Sequence, residues 1–239
     1  MTDKNSADSV ILEELFKFQD IKYRDFTSRL SPGVSFIGVR LPTLKKISKA
    51  LLKRFSCDRI TTNISSDMYF EELYVRGYCI ACSSMPLNIR FEKIQKFISC
   101  IHGWSNCDSF CSLLKECISY KNEYHEFIMS IYRSPKSPYE IRFVLVMLIM
   151  YFAFEDRSEE IIELVEKTDC SHYYVSMAAA WLMATLYCRC SDKIKLQILK
   201  LKTDRLTYIR TLNKILESKL PSYEQKMHIR SLKKELGKN

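Results

Sequence analysis

Glycine and proline are scarce in this chain of 239 residues, which holds 5 of the first and 6 of the second. So few of them leave no room for a Gly/Pro-rich linker or a low-complexity arm. The length is compatible with one or two domains. We expect a single domain over 1–239, with a flexible stretch at 1–8.

Strand patterns are also missing. The sequence shows no clean alternation of apolar and polar residues and no Asn-Gly hairpin turn, whereas most segments repeat their apolar residues with the helical period. Prolines mark several helix starts, at Pro42, Pro86, Pro138 and Pro221, where the missing amide donor costs nothing. The sequence therefore predicts an all-α protein of about a dozen helices, arranged as an α-solenoid or a compact array of helical pairs.

No apolar run is long enough to cross a bilayer. The segments 143–154 and 173–188 carry no charge, but each is shorter than the roughly 20 residues that a spanning helix needs. A helix that is apolar on every face is buried between neighbours. We expect two buried helices here and no contact with a membrane.

Residues 1–20 are charged and have no apolar core, so we expect no secretory signal. The ten cysteines then indicate buried thiols in a reducing compartment rather than a disulfide framework. The cysteines that form close pairs in the sequence lie in segments with the helical period. They lack the spacing, on turns, that is typical of the cysteine ligands of zinc sites. We expect a cytoplasmic protein with no metal and no cofactor.

Acidic residues are outnumbered. The chain has 37 Lys and Arg against 28 Asp and Glu, a formal net charge of +9. Such a surplus favours polyanionic partners such as nucleic acid, through long-range attraction and counterion release. A solvated lysine-rich surface is an equally good interpretation of the charge alone.

The only two tryptophans are Trp104 and Trp181, and Arg142 lies 38 residues after the first and 39 before the second. These intervals match the period of HEAT-type helical repeats. Stacked repeats would bring equivalent positions onto one surface, together with Asp108, one helical turn beyond Trp104.

Helix capping offers a simpler interpretation of the same residues. Ser137 and Glu140 fit a capping box, which places Arg142 just inside a helix start, where a cation needs an anion nearby. That anion could be a carboxylate of the protein or a bound phosphate, which a guanidinium suits well. Ser105 through Asp108 fits a capping pattern too, with Trp104 packed just before the cap. Trp181 could be a core side chain.

Ordered motifs resemble the DNA alkylation repair family of AlkD-like glycosylases. The resemblance runs from about Tyr23 to the C-terminal end. It rests on Tyr23-Arg24-Asp25-Phe26, Gly38-Val39-Arg40-Leu41-Pro42, Trp104-Ser105-Asn106-Cys107-Asp108-Ser109-Phe110, Glu140-Ile141-Arg142-Phe143, Tyr173-Tyr174-Val175-Ser176-Met177-Ala178-Ala179-Ala180-Trp181, Leu206-Thr207-Tyr208, Glu217-Ser218 and Ile229-Arg230-Ser231-Leu232-Lys233.

This resemblance implies a superhelix of HEAT-like repeats whose concave face binds duplex DNA. It also implies a monofunctional base-excision repair glycosylase that removes cationic N3- or N7-alkylated purines. Carried over by position, Trp104, Asp108 and Trp181 are catalytic, Arg142 contacts a DNA phosphate and Arg40 contacts the duplex near the lesion. We expect a bacterial-type protein that is monomeric and that is associated with the nucleoid when it is bound to DNA.

The proposed chemistry suits these residue types. An alkylated cationic purine is already a good leaving group, so no strong general acid is needed. Positive charge develops on the deoxyribose as the N-glycosidic bond lengthens, and a carboxylate and two indole faces stabilise that charge. Asp108 could also orient the attacking water. The sequence shows no obvious aromatic pocket motif, and the resemblance implies that the lesion stays outside a tight pocket.

Two other functions stay open. Met177 and 182–185 are not basic where DNA-binding relatives often carry basic residues, and 31–35 resembles a short insertion. These differences are compatible with a catalytically weak or inactive DNA-binding protein. A HEAT-like scaffold that binds a helix or peptide of another protein is the third hypothesis.

Overall fold

The computed structural model describes residues 6–236, and every regular element within them is helical. The all-α prediction is therefore confirmed. The chain divides into two compact units, the first ending at Ser130 and the second beginning at Ile131. The prediction of one continuous domain stays a prediction.

The first unit is built from eight α-helices, the last of which runs into the second unit. They are α1 (Ala7–Phe16), α2 (Ile21–Leu30), α3 (Leu41–Arg54), α4 (Cys57–Thr61), α5 (Phe70–Cys82), α6 (Leu87–Ile98), α7 (Trp104–Leu113) and α8 (Lys121–Arg133). A 3-10 turn, Lys115–Ile118, precedes α8. Helix α5 packs against α1, α3, α4, α6 and α7 and is buried over most of its length.

The second unit contains the remaining helices. They are α9 (Pro138–Met147), α10 (Ser158–Lys167), α11 (Tyr173–Arg189), α12 (Asp192–Ile198), α13 (Arg205–Glu217) and α14 (Tyr223–Leu236). A π-helical turn, Leu148–Phe152, extends α9, and a 3-10 turn, Glu155–Arg157, leads into α10. Helix α11 packs against α9 on one side and α13 on the other.

Local sequence explains where many helices begin. Six of the described helices have a Ser or Asp at the N-cap whose side chain accepts a hydrogen bond from a backbone N–H in the first turn: Ser6, Asp20, Ser56, Ser137, Asp204 and Ser222. These bonds satisfy N–H groups that have no partner inside the helix. Of the four prolines expected at helix starts, Pro42 and Pro138 lie in first turns, Pro86 is an N-cap and Pro221 lies two residues before α14.

The two charge-free segments are buried over most of their length, as predicted, but Phe154 at the end of the first and Tyr173 at the start of the second are exposed. Side chains of α9 and its π-helical extension from Phe143 to Ile149 are at most 4% exposed. In α11 the three consecutive alanines 178–180 are fully buried, and their small size lets α9 and α13 approach closely. Among the described residues, no helix has both the length and the apolar character needed to span a bilayer.

The expected flexible stretch at 1–8 falls partly outside the described residues, which begin at Ser6. Ser6 caps α1, and Asp8 accepts a hydrogen bond of 2.7 Å from Nη2 of Arg76. Arg76 is fully buried and also donates from Nη1 to the carbonyl of Ile60 at 2.8 Å. The first turn of α1 is thus held by a buried cation of α5.

Candidate functional site

Helices α3, α5 and α7 of the first unit begin side by side. Buried Glu71, the second residue of α5, accepts hydrogen bonds of 2.8–3.0 Å from three successive backbone N–H groups, those of residues 37–39, just before α3. Asn106, in the first turn of α7, donates from Nδ2 to the carbonyl of Phe70 at 3.1 Å. These bonds align three helix N-termini, and the dipole at a helix N-terminus favours anions.

Arg40 is the N-cap residue of α3 and its side chain is 63% exposed. Its guanidinium pairs with Asp20 at 3.0 Å and lies 4.7 Å from the ring centroid of Tyr23. The backbone N–H of Tyr23, first, and then Arg40 hold the pKa of Asp20 below its usual value. Arg40 therefore presents its charge to solvent from a defined position.

Trp104 is the first residue of α7 and is half-buried. Its Nε1 donates to the carbonyl of Leu30 at 3.1 Å. The turn after Leu30 packs on the start of α7, because a Cβ on Gly103 would lie 2.4 Å from Cγ2 of Val34. The indole is thereby fixed in one orientation, with part of its surface accessible.

A cavity of about 220 Å³ opens beside Trp104. Its lining includes five aromatic side chains and one carboxylate: Tyr23, Phe26, Phe36, Phe70, Trp104 and Glu71. This aromatic cavity was not among the sequence predictions, which found no obvious pocket motif. A signal was present in the sequence: Tyr23, Phe26 and Leu30 recur at the helical period on α2, a helix without a single buried residue. That apolar stripe lines the cavity instead of a core.

Asp108 does not cap its helix. The N-cap of α7 is Gly103, so Trp104 lies inside the helix and Asp108 is its fifth residue, beyond the first turn. The capping interpretation for Ser105 through Asp108 is therefore wrong. Asp108 is half-buried, one turn beyond Trp104 on the same helix. The first unit thus places Arg40 and Trp104 beside one cavity and Asp108 close along α7.

Arg142 lies in the second unit, as the fifth residue of α9. Ser137 is the N-cap, as predicted, but Glu140 accepts from the backbone N–H of Lys136 at 2.7 Å, one residue before the expected capping-box partner. Arg142 is only 5% exposed and donates from Nη1 to the carbonyl of Tyr174 at 2.7 Å. It joins the start of α11 to α9. Its predicted contact with a DNA phosphate stays a prediction.

Trp181 is half-buried and lies midway along α11, after the three buried alanines. Thr185 donates from Oγ1 to the Trp181 carbonyl at 2.8 Å. The partial exposure of the indole leaves surface that a substrate could contact. The catalytic role of Trp181 stays a prediction, as do those of Trp104 and Asp108.

One basic and aromatic cluster has no counterpart in the sequence predictions. Arg210 of α13 lies 4.9 Å from the ring centroid of Tyr173, the first residue of α11, whose ring is largely exposed. Its Nη1 donates to Oγ of Ser176 at 2.5 Å, and that hydroxyl lies 2.6 Å from Oγ1 of Thr207. The cluster aligns the starts of α11 and α13. No local motif marks Arg210, because its partners lie 34 residues or more away in sequence.

The cysteines are free thiols in the structure. Burial raises the pKa of Cys117 to about 12 and, together with Glu155, the pKa of Cys190 to about 11. Within residues 6–236, no group of three or more His, Cys, Asp or Glu side chains is placed to hold a metal ion.

A protein-family comparison decides the identity. Residues 11–195 match the family model described as DNA alkylation repair enzyme. The chain belongs to this family. Neither the curated proteins nor the solved structures contain a significant match. All five predicted site residues of this DNA alkylation repair enzyme lie inside the matched range, whereas the C-terminal resemblance beyond residue 195 lies outside it.

Proposed function

We propose that this DNA alkylation repair enzyme is a monofunctional glycosylase. It hydrolyses the N-glycosidic bond of N3- and N7-alkylated purines in duplex DNA. Family membership supports a DNA substrate. The observation that carries the finer proposal is the fixed, partly exposed indole of Trp104, with Asp108 one turn further along the same helix.

In the proposed reaction the protein does not have to activate the purine as a leaving group. The alkylated purine leaves with the bonding electron pair and loses its positive charge as the bond to the sugar breaks. The opposite charge change occurs on the deoxyribose, which becomes cationic in the transition state. In the first unit, the carboxylate of Asp108 and the indole face of Trp104 stabilise that cation, and Asp108 orients the water that attacks it. The role of Trp181, in the second unit, stays a prediction.

Binding to the duplex would use the aligned helix starts of each unit. In the first unit these are the N-termini of α3, α5 and α7, with exposed Arg40 beside them. In the second unit they are the N-termini of α9, α11 and α13, with Arg142 and Arg210. Arg210 is partly exposed, and an arginine retains further donors after one bond to the protein, so Arg210 can also reach a phosphate. Arg142 is only 5% exposed and would support binding by holding the start of α11 against α9.

Base release from methylated duplex DNA tests the proposal directly. Wild-type protein is expected to release 3-methyladenine and 7-methylguanine, and Asp108→Asn is expected to slow release about 100-fold, the scale of one lost electrostatic contact in a transition state. Asp192→Asn is the matched control, because its carboxylate is exposed at the start of α12. Its rate should equal that of the wild type.

Three other results would change the proposal. Full activity in Asp108→Asn would rule out the role given to Asp108. Binding of duplex DNA with a steep salt dependence, but without base release, would favour a DNA-binding protein that does not excise. Absence of both binding and release would favour the protein-interaction scaffold.

A further inference from the structure

The last described helix, α14, exposes large apolar side chains near its start. Tyr223 is 74% exposed and Met227 is 46% exposed, and Leu220, in the turn before the helix, is 72% exposed. An array of packed helices normally ends on a polar outer face, because no further helix covers it. A group of exposed apolar side chains with polar residues around it is typical of an interaction site.

The exposed side chains of α14 form one stripe. Tyr223, Met227, Arg230 and Lys234 recur at intervals of three and four residues, so they share one face of the helix. Nη1 of Arg230 lies 3.5 Å from Sδ of Met227. Ile229 is fully buried, and α14 packs against α13. We call the exposed set the α14 surface: Leu220, Tyr223, Met227, Arg230 and Lys234.

The α14 surface lies in a basic segment. Residues 219–236 hold five Lys and Arg against two Glu. Arg230 and Lys234 are exposed, and within residues 6–236 neither of them forms an ion pair with a carboxylate. Their positive charges are therefore available to an acidic partner, which they would also attract from a distance.

The combination of apolar and basic side chains favours a protein partner. Tyrosine, methionine and arginine are the residue types that are enriched at protein–protein interfaces. Duplex DNA would pair with Arg230 and Lys234, but it would leave Leu220 and Met227 without apolar surface to contact. A second copy in a symmetric contact would bring the same positive charges together. A membrane would bury Arg230 and Lys234 with the apolar residues, because they share one stripe.

We propose that the α14 surface binds an amphipathic acidic segment of another protein. The apolar side chains of that segment cover Leu220, Tyr223 and Met227, and its carboxylates pair with Arg230 and Lys234. Helix α14 lies outside the range that matches the family model, and the surface includes none of the five predicted site residues. The proposal is therefore independent of the glycosylase function.

Fluorescence anisotropy of a labelled synthetic peptide tests the proposal. The probe is a peptide of about 15 residues with leucine at every third or fourth position and glutamate at most others. It is expected to bind the full chain saturably, with an affinity that falls as salt is added. A control peptide with lysine in place of each glutamate should not bind. Absence of binding by the acidic peptide, or equal affinity for both peptides, would overturn the proposal.

Two exposed leucines of the second unit provide matched variants. Leu220 belongs to the α14 surface, whereas Leu196 lies on α12 and is 58% exposed. Neither side chain belongs to the core, so both serine variants should fold. Leu220→Ser is expected to weaken binding of the acidic peptide at least about tenfold, and Leu196→Ser should bind like the wild type. Equal affinities of the two variants would place the peptide elsewhere and refute the assignment.

Two exposed lysines test the charge in the same way. Lys234→Glu turns an attraction into a repulsion and should weaken peptide binding about tenfold. Lys167 is exposed on α10, a helix that packs against α11 and α12. Lys167→Glu changes the net charge of the chain by the same amount and should leave the affinity unchanged. Equal weakening in both variants would mean that only the overall charge attracts the peptide, which would refute a specific surface.

The other possible occupants are tested with Tyr223→Ala, which removes the most exposed aromatic ring of α14. Unlabelled duplex DNA that displaces the peptide, and that binds Tyr223→Ala more weakly than wild type, would assign the surface to DNA. A dimer seen in sedimentation that dissociates in Tyr223→Ala would assign it to a second copy. Binding to vesicles of phosphatidylcholine and phosphatidylserine that is lost in Tyr223→Ala would assign it to a membrane. Each of these results would overturn the proposal.

Discussion

Replacement of Glu71 by glutamine tests how the first unit positions Arg40. The Glu71 carboxylate is fully buried and accepts from the backbone N–H groups of Ile37, Gly38 and Val39. The next residue along the chain is Arg40. Loss of these bonds should therefore destabilise the unit and release Arg40 from its position.

The expected loss of stability in Glu71→Gln follows from the hydrogen bonds that glutamine can keep. Its single oxygen can retain Gly38 and Val39, but its amide group then faces the N–H of Ile37, which is 1% exposed. An unsatisfied buried N–H costs about 1–3 kcal/mol, and each retained bond loses its charge assistance, about 1 kcal/mol. Glu71→Gln should thus lower the free energy of unfolding of the first unit by about 3–5 kcal/mol.

Each unit contains one tryptophan, so the measurement can follow the first unit alone. In the Trp181→Phe background, Trp104 fluorescence reports the unfolding of the first unit in urea. Glu92→Gln is the control, because Glu92 is exposed on α6 and such surface changes stay within about 0.5 kcal/mol. A decrease of less than about 1 kcal/mol in the free energy of unfolding of Glu71→Gln would refute the prediction, because it would show that the carboxylate contributes little to the stability of the first unit.

Three further predictions concern backbone strain, thiol reactivity and DNA binding. Gly38→Ala should lower the free energy of unfolding of the first unit by more than about 2 kcal/mol, because φ is +100° and a Cβ would lie 2.4 Å from the carbonyl oxygen of Asp20. Gly33→Ala should lower it by about 1 kcal/mol, because φ is +84° but the space around the residue is open. Equal losses of stability in urea unfolding would contradict this prediction. Peptide mapping after alkylation at mildly alkaline pH should show that exposed Cys82 is modified before Cys117, because burial raises the pKa of Cys117 to about 12. Modification of both thiols at the same rate would be inconsistent with the burial of Cys117. Arg210→Gln should reduce by about 1 the slope of the logarithm of the duplex-binding constant against the logarithm of the salt concentration. Arg189→Gln, which lies at the opposite end of α11, should leave that slope unchanged. Equal slopes in the two variants would exclude a phosphate contact of Arg210.

Local sequence predicted most of the fold. Helical period, the first-turn prolines Pro42 and Pro138 and the N-cap Ser137 are properties of a few neighbouring residues, and each was confirmed in the structure. The two charge-free segments could be assigned to buried helices because a helix without a polar face has to be covered on all sides. These inferences need no knowledge of which helices are neighbours.

The site depends on neighbours, and here local patterns gave wrong answers. Ser105 through Asp108 has the residue types of a capping box, yet α7 begins earlier, because the turn containing Val34 packs on Gly103 and fixes the helix start at Trp104. The aromatic cavity was missed for a similar reason. Its walls come from segments as far apart as Tyr23 and Trp104, and only the packed unit shows that the apolar stripe of α2 faces a cavity.

Position on a helix therefore does not by itself separate a structural residue from a functional one in this protein. Glu71, Asn106 and Arg142 all lie in the first two turns of helices, and each binds the backbone at the start of a neighbouring helix. Residues that tie helix starts together also bring their dipoles and N–H groups to one edge of a unit, where a phosphate backbone would bind. A residue such as Arg142 can then support DNA binding even if it never touches DNA, because its bond to Tyr174 holds α11 in place. Loss of affinity in an Arg142 variant would not show a phosphate contact unless the salt dependence changed with it.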